Sequence, residues 1–246
     1  MADGAGGYRH FHDELATLKR RLLEMSERAE SLVDLSMQAL LERDREKATI
    51  VIESDRELDH MEVETENLAI SLLALQQPMA RDLRFLIGAI KITSDLERVG
   101  DHAVNIAQCA VRVIDGRNAM PPVPALDDMA RRARSMLSDA LDAFIRQDGT
   151  LGRAIGKADK HVDAMHEGIF RLLLTYMMGD PRAISPSLEL LLVSRNLERV
   201  ADLATNIGED AVYLAEGKQI RHQFDEPYTE GDVSASSAAG QTERRP

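Results

Sequence analysis

Apolar residues recur along most of the chain at alternating steps of three and four. This spacing lays one stripe down a helix and packs helices along a shared seam. The clearest run is Ile92, Leu96, Val99, Ala103, Ile106, Ala110 and Val113. A second run, Val193, Leu197, Val200, Ala204, Ile207, Ala211 and Leu214, repeats it at a shift of 101 positions. Residues 96–106 read LERVGDHAVNI and residues 197–207 read LERVADLATNI, identical at eight of eleven positions. Upstream, Val51, Leu58, Met61 and Leu68 keep register with Ile155, Val162, Met165 and Leu172 at a shift of 104, so the following loop is three residues shorter in the second half. A further amphipathic segment leads each half, over about residues 11–43 and 126–146. The pattern predicts an all-α protein made of two tandem, sequence-related three-helix bundles, over residues 8–115 and 121–216. The join, from Asp115-Gly116 to Pro121-Pro122-Val123-Pro124, is too rich in Pro and Gly to continue a helix. Periodicity ends near residue 217, and residues 217–246 read as a disordered tail dominated by Ser, Ala, Gly and charged residues.

Composition narrows the picture. Aromatic residues make up only 4% of a chain that is 44% hydrophobic, and there is no Trp, so the core is aliphatic and an all-β reading fails. Thirty basic against 42 acidic residues give a net charge of −12, which repels nucleic acid and anionic lipid. No basic patch stands out in the sequence to offset it. The one cysteine, Cys109, forms no internal disulfide, fits a reducing compartment and reads as core filler. No stretch reaches the ~18 uninterrupted apolar residues of a membrane span, and Met1 to Gly7 lacks a basic n-region and an apolar h-region. A cytoplasmic location is the expectation.

Candidate chemistry lies in four acidic pairs at i,i+4: Asp55/Asp59, Glu97/Asp101, Asp159/Asp163 and Glu198/Asp202. Like charges at this spacing cost a helix a few tenths of a kcal/mol (~0.2–0.5) and invite solvation or a cation. Their placement adds to this. In an antiparallel hairpin, facing residues are equidistant from the turn. The midpoint between the first two pairs falls at Pro78, and that between the last two falls within Gly179-Asp180-Pro181, both independently read as loops. Four carboxylates therefore face one another in each half, and they must be neutralised by raised pKa values, basic neighbours or cations. Arg56, Arg98, Lys160 and Arg199 adjoin the acids, but one residue is about 100° of helix rotation, so each is expected to point away from its neighbour's face. All-carboxylate ligation favours magnesium, manganese or iron over soft-ligand zinc. Asn105 and Asn206 extend the same faces, and helix-to-helix hydrogen bonding is the plainer role for them.

These residues resemble the PhoU family. The two LERV…NI segments and Gln77-Pro78-Met79-Ala80-Arg81-Asp82-Leu83-Arg84 carry the resemblance, which spans about residues 8–216. The second hairpin departs from it, with Gly179-Asp180-Pro181-Arg182 and no Asp-Leu-Arg. The resemblance implies a cytoplasmic homodimer that regulates rather than catalyses. It would act with the phosphate-specific ABC transporter and its sensor histidine kinase, restraining phosphate uptake and the starvation response when phosphate is plentiful. It would meet membranes only through those partners. It also implies multinuclear metal clusters on the E/D-x-x-x-D faces, whose motif positions are all occupied here.

Two other readings compete. A helical di-iron carboxylate oxidase needs two Glu-x-x-His motifs in its bundle core. Glu57-Leu58-Asp59-His60 supplies one, while Asp163-Ala164-Met165-His166 is out of register with it. His60, His102, His161 and His166 are further possible ligands, although unpaired surface histidines are the commoner case. A metal-free helical scaffold shares the fold. No G-x-S-x-G, Cys-His set or phosphate-cradling Gly-rich loop points to hydrolysis or transfer.

Overall fold

The computed structural model describes residues 4–76, 78–116, 118–218 and 220, with the side chains of residues 4–10, 55 and 76 outside the description. Residues 221–246, most of the expected tail, lie outside the described residues. Among the described residues seven α-helices follow in order: α1 (Gly4–Glu42), α2 (Arg45–Glu53), α3 (Asp55–Gln76), α4 (Ala80–Asp115), α5 (Ala125–Arg146), α6 (Gly149–Gly179) and α7 (Ile184–Glu216), with one 3-10 turn at Pro181–Ala183. Helices α1, α3 and α4 form the first bundle and α5, α6 and α7 the second, as the duplication predicts. Among the described residues no helix is long and apolar enough to cross a membrane.

The duplication reaches down to single hydrogen bonds. Where α1 hands over to α2, Arg43 is left-handed (φ 55°), the amide of Asp44 donates to Ala39 O at 2.9 Å, and the Asp44 carboxylate accepts from the amides of Glu46 and Lys47. Where α5 hands over to α6, Gln147 has φ 59°, Asp148 N donates to Ala143 O at 2.8 Å, and Asp148 accepts from Thr150 and Leu151. Both turns close one helix with a left-handed residue and open the next with an aspartate cap.

The halves differ at one point that periodicity does not reveal. The expected single helix through Val51 and Leu68 is broken at Ser54 into α2 and α3. Ser54 Oγ donates to Ile50 O at 2.7 Å and accepts from Arg28 at 3.0 Å, offering the backbone a local alternative to the helical ladder. The equivalent residue in the second half is Ala158, and α6 runs unbroken.

One apolar core runs through both bundles. Phe85 of α4 stacks on Phe144 of α5 with ring centroids 5.0 Å apart, and a Cβ at Gly88 would lie 2.7 Å from the Phe144 ring, so only glycine fits there. Helices α4 and α7 cross antiparallel at the centre, with Lys91 facing Asp210, His102 facing Asn196 and Arg112 facing Glu189. Each is packed within its own bundle and against the other, so each buries a face wider than a single seam.

Candidate metal centre

The hairpin arithmetic places the second acidic quartet correctly. Asp159 and Asp163 of α6 meet Glu198 and Asp202 of α7 across the hairpin. Asp159 is partly buried, and its carboxyl is pushed up from 3.8 to about 7, first by burial and then by the charges of Asp163, Asp202 and Glu198. The nearby Thr205 hydroxyl opposes the rise but falls short of hydrogen-bond geometry. Asp159 Oδ1 and Thr205 Oγ1 are therefore both buried without a hydrogen-bond partner. Asp202 is also raised, by burial above all, with Arg199 opposing and Glu198 and Asp163 adding to it.

In the first bundle Asp59 is exposed on α3, and Glu97 is partly buried and Asp101 exposed on α4. The Asp55 side chain lies outside the described residues. The perturbed group here is Glu62, raised by burial first, then by Glu66, Asp59 and Asp101, with the Ser94 hydroxyl opposing. Glu62 thus senses acids from both helices. It forms an i,i+4 pair with Glu66 that the hairpin comparison passed over, because the pair has no acidic counterpart in the second half, where the residue equivalent to Glu62 is His166.

The basic neighbours divide. Arg98 turns back to Asp95 at 3.6 Å. Arg199 reverses the expectation that it would point away, since it reaches forward one turn to Asp202 at 3.2 Å. It covers part of the second quartet's charge without touching Asp159. Asn105 and Asn206 also depart from expectation, because among the described residues neither makes a hydrogen bond to another helix, and Asn105 lines the cleft between α4 and α7.

The histidines have other partners than the quartets' carboxylates in hydrogen bonds and ion pairs. His60 is 75% exposed and pairs with Glu64, while Glu57 of the same Glu-x-x-His segment pairs with Arg28 at 2.6 Å. This motif faces solvent, away from the bundle core where a di-iron oxidase would need it. His102 contacts Asn196, His161 the carbonyl of Lys157, and His166 the Ser194 hydroxyl.

The donor set of the second quartet suits a hard cation, and the orphaned Asp159 Oδ1 gives it a starting ligand. With the side chains as they stand, no group of three or more His, Cys, Asp or Glu among the described residues is arranged to hold a metal ion. Ligation would therefore require the carboxylates to turn toward one another on their faces.

Comparison with known proteins agrees with the duplicated architecture. The PhoU domain pattern matches twice, over residues 22–110 and 126–211. A protein of Rhizobium meliloti named phosphate-specific transport system accessory protein PhoU homolog is 40% identical over 209 residues, covering 85% of this chain and 88% of its own. A protein of the same name from Zymomonas mobilis is 36% identical over 210 residues, again covering 85% and 88%. The crystal structure of PhoU from Pseudomonas aeruginosa superposes with a TM-score of 0.80 at 36% identity, covering 85% of this chain and all of that one. The phosphate transport system regulatory protein PhoU from Streptococcus pneumoniae superposes with a TM-score of 0.79 at 29% identity, covering 85% and 98%. With both repeats matched, and with fold and sequence agreeing over most of its length, the chain belongs to the PhoU family.

Proposed function

We propose that this protein is a non-catalytic accessory of phosphate-specific transport. It restrains the phosphate ABC transporter and its sensor histidine kinase when phosphate is plentiful, acts as a cytoplasmic homodimer, and holds magnesium, manganese or iron on its acidic helix faces. The names of the relatives support the transport role. The observation that carries the cation reading is Asp159, a carboxyl forced upward in pKa among three further carboxylates with one oxygen left unpartnered. A bound cation would add counter-charge beside Asp159, which Arg199 does not reach, and Glu198, Asp202 and Asp163 would join Asp159 as its ligands. Asp55, Asp59, Glu97 and Asp101 form the matching set in the first bundle.

Elemental analysis of tag-free protein tests the cation reading beside a Glu97→Ala/Asp101→Ala/Glu198→Ala/Asp202→Ala variant. Near-stoichiometric metal in the wild type and its loss in the variant is the expected result. No metal in either, after reconstitution with iron, manganese and magnesium, overturns it. For the regulatory role, deleting the protein is expected to derepress phosphate-starvation reporters in phosphate-rich medium, and unchanged expression counts against it.

A further inference from the structure

Helices α4 and α7 enclose a cleft of about 350 Å³ where they cross. Its walls carry Arg112, His102 and Asn105 from α4, and Arg195, Arg199 and Asn196 from α7. Three guanidinium groups therefore gather in one recess of a chain whose net charge is −12. This corrects the sequence-based expectation of no basic patch, because Arg112 lies far from Arg195 and Arg199 in the chain and only the crossing unites them.

The three arginines are unequally occupied. Arg112 donates through Nε to Glu189 at 2.8 Å, while its other donor in use meets only the Cys109 sulfur at 3.0 Å, a weak acceptor. Arg199 gives one N–H to Asp202. Arg195 is exposed and makes no ion pair or hydrogen bond among the described residues. Each guanidinium has five N–H donors, so several remain available toward the cleft. His102 lines the same cleft. Its pKa is lowered by burial first, with Arg98 and Arg199 adding to the fall and Asn196 and Asp101 opposing it.

The internal repeat supplies a comparison within the same molecule. At a shift of 101, the positions matching Arg112, Arg195 and Arg199 are Tyr213, Ser94 and Arg98. On that side Arg98 is paired with Asp95, and Lys91 with Asp210. Two ion pairs stand on each side, Arg112–Glu189 and Arg199–Asp202 here against Arg98–Asp95 and Lys91–Asp210 there, so the cleft side differs by the additional guanidinium of Arg195. Packing α4 on α7 does not require this extra guanidinium, since Ser94 serves at the matching position, so Arg195 beside the two paired arginines needs another reason.

We propose that the α4–α7 cleft binds a phosphate oxyanion, either inorganic phosphate or the phosphate group of a small monoester. Arginine is the side chain suited to this, since its planar fork meets two phosphate oxygens at once. Asn105 completes the polar lining with an amide that can donate to the anion. The site is open, so binding is modest in affinity and falls with salt. The proposal does not rest on the cation reading.

Isothermal titration calorimetry on the full chain, in low-salt buffer with chelator, tests it with two probes, inorganic phosphate and adenosine monophosphate. Saturable binding of either probe is expected, weakened about tenfold or more by Arg195→Ala and by Arg199→Ala. Arg171→Ala, on the exposed face of α6, should leave binding unchanged. Binding of adenosine monophosphate alone assigns the site to an ester, and binding of inorganic phosphate assigns it to the free ion. No saturation by either probe overturns the proposal, as does equal weakening by all three substitutions, which would mark a diffuse charge effect.

Discussion

Asp159→Asn is the substitution that most directly reads the electrostatics of the second quartet. The Asp159 carboxyl titrates near 7 in the folded chain against 3.8 for an ordinary aspartate, so between those values the native state holds a proton that the unfolded state has released. Stability from this group is therefore present at low pH, is lost progressively as pH rises from about 4 to about 7, and stays lost above that. A shift of this size corresponds to about 4 kcal/mol at full weight. The carboxyl is only partly buried and solvent screens it, which brings the expectation down to ~1–2 kcal/mol. Asparagine keeps the shape, removes the charge and offers an N–H to the neighbouring carboxylates. Urea unfolding followed by far-ultraviolet circular dichroism in chelator should find Asp159→Asn more stable at pH 8 by ~1–2 kcal/mol, the gap closing as pH falls toward 4. A variant equally or less stable at pH 8 would refute the reasoning, because the charge would then be well solvated. Manganese at a hundred times its dissociation constant, in place of chelator, should stabilise the wild type by ~2.7 kcal/mol, enough to cancel the variant's lead at pH 8 and leave the wild type ahead by ~1 kcal/mol.

The two repeats solve one packing contact in two ways, which makes a second prediction. A Cβ at Gly100 would lie 2.4 Å from Leu58 Cδ1, while the equivalent pair in the second half is Ala201 beside Val162. Gly100→Ala alone should lower stability by ~1–3 kcal/mol, and adding Leu58→Val should recover most of it; chemical denaturation of the single and double variants checks this. Cys109 gives a third prediction. Burial pushes its thiol up to about 11, and only 2% of the residue is exposed. It should resist iodoacetamide at pH 7.5 in the folded protein and react once the chain is unfolded in urea, as mass spectrometry would show.

Much of the architecture was legible because each repeat carries its own periodicity. The seam from Ile92 to Val113 is buried throughout, as is its copy from Val193 to Leu214. Loop positions read from Gly and Pro set the hairpin geometry, and that geometry brought Asp159 and Asp163 opposite Glu198 and Asp202 without further information. The break at Ser54 was not legible. A serine inside an apolar period leaves the spacing intact, and only its bonds to Ile50 and Arg28 reveal that the helix is interrupted there.

By itself, then, the sequence determined the helices, their duplication, the pairing within each hairpin and the acidic faces, because all of these follow from spacing along the chain. The tertiary structure alone decided how the two bundles meet. An apolar stripe says that a helix is covered, but not which distant helix covers it. The meeting of the bundles set Phe144 of α5 against Gly88 of α4, and the antiparallel crossing of α4 and α7 paired Lys91 with Asp210 and drew Arg112, Arg195 and Arg199 around one cleft. Those groups lie far apart in the chain, so no local pattern could announce their meeting.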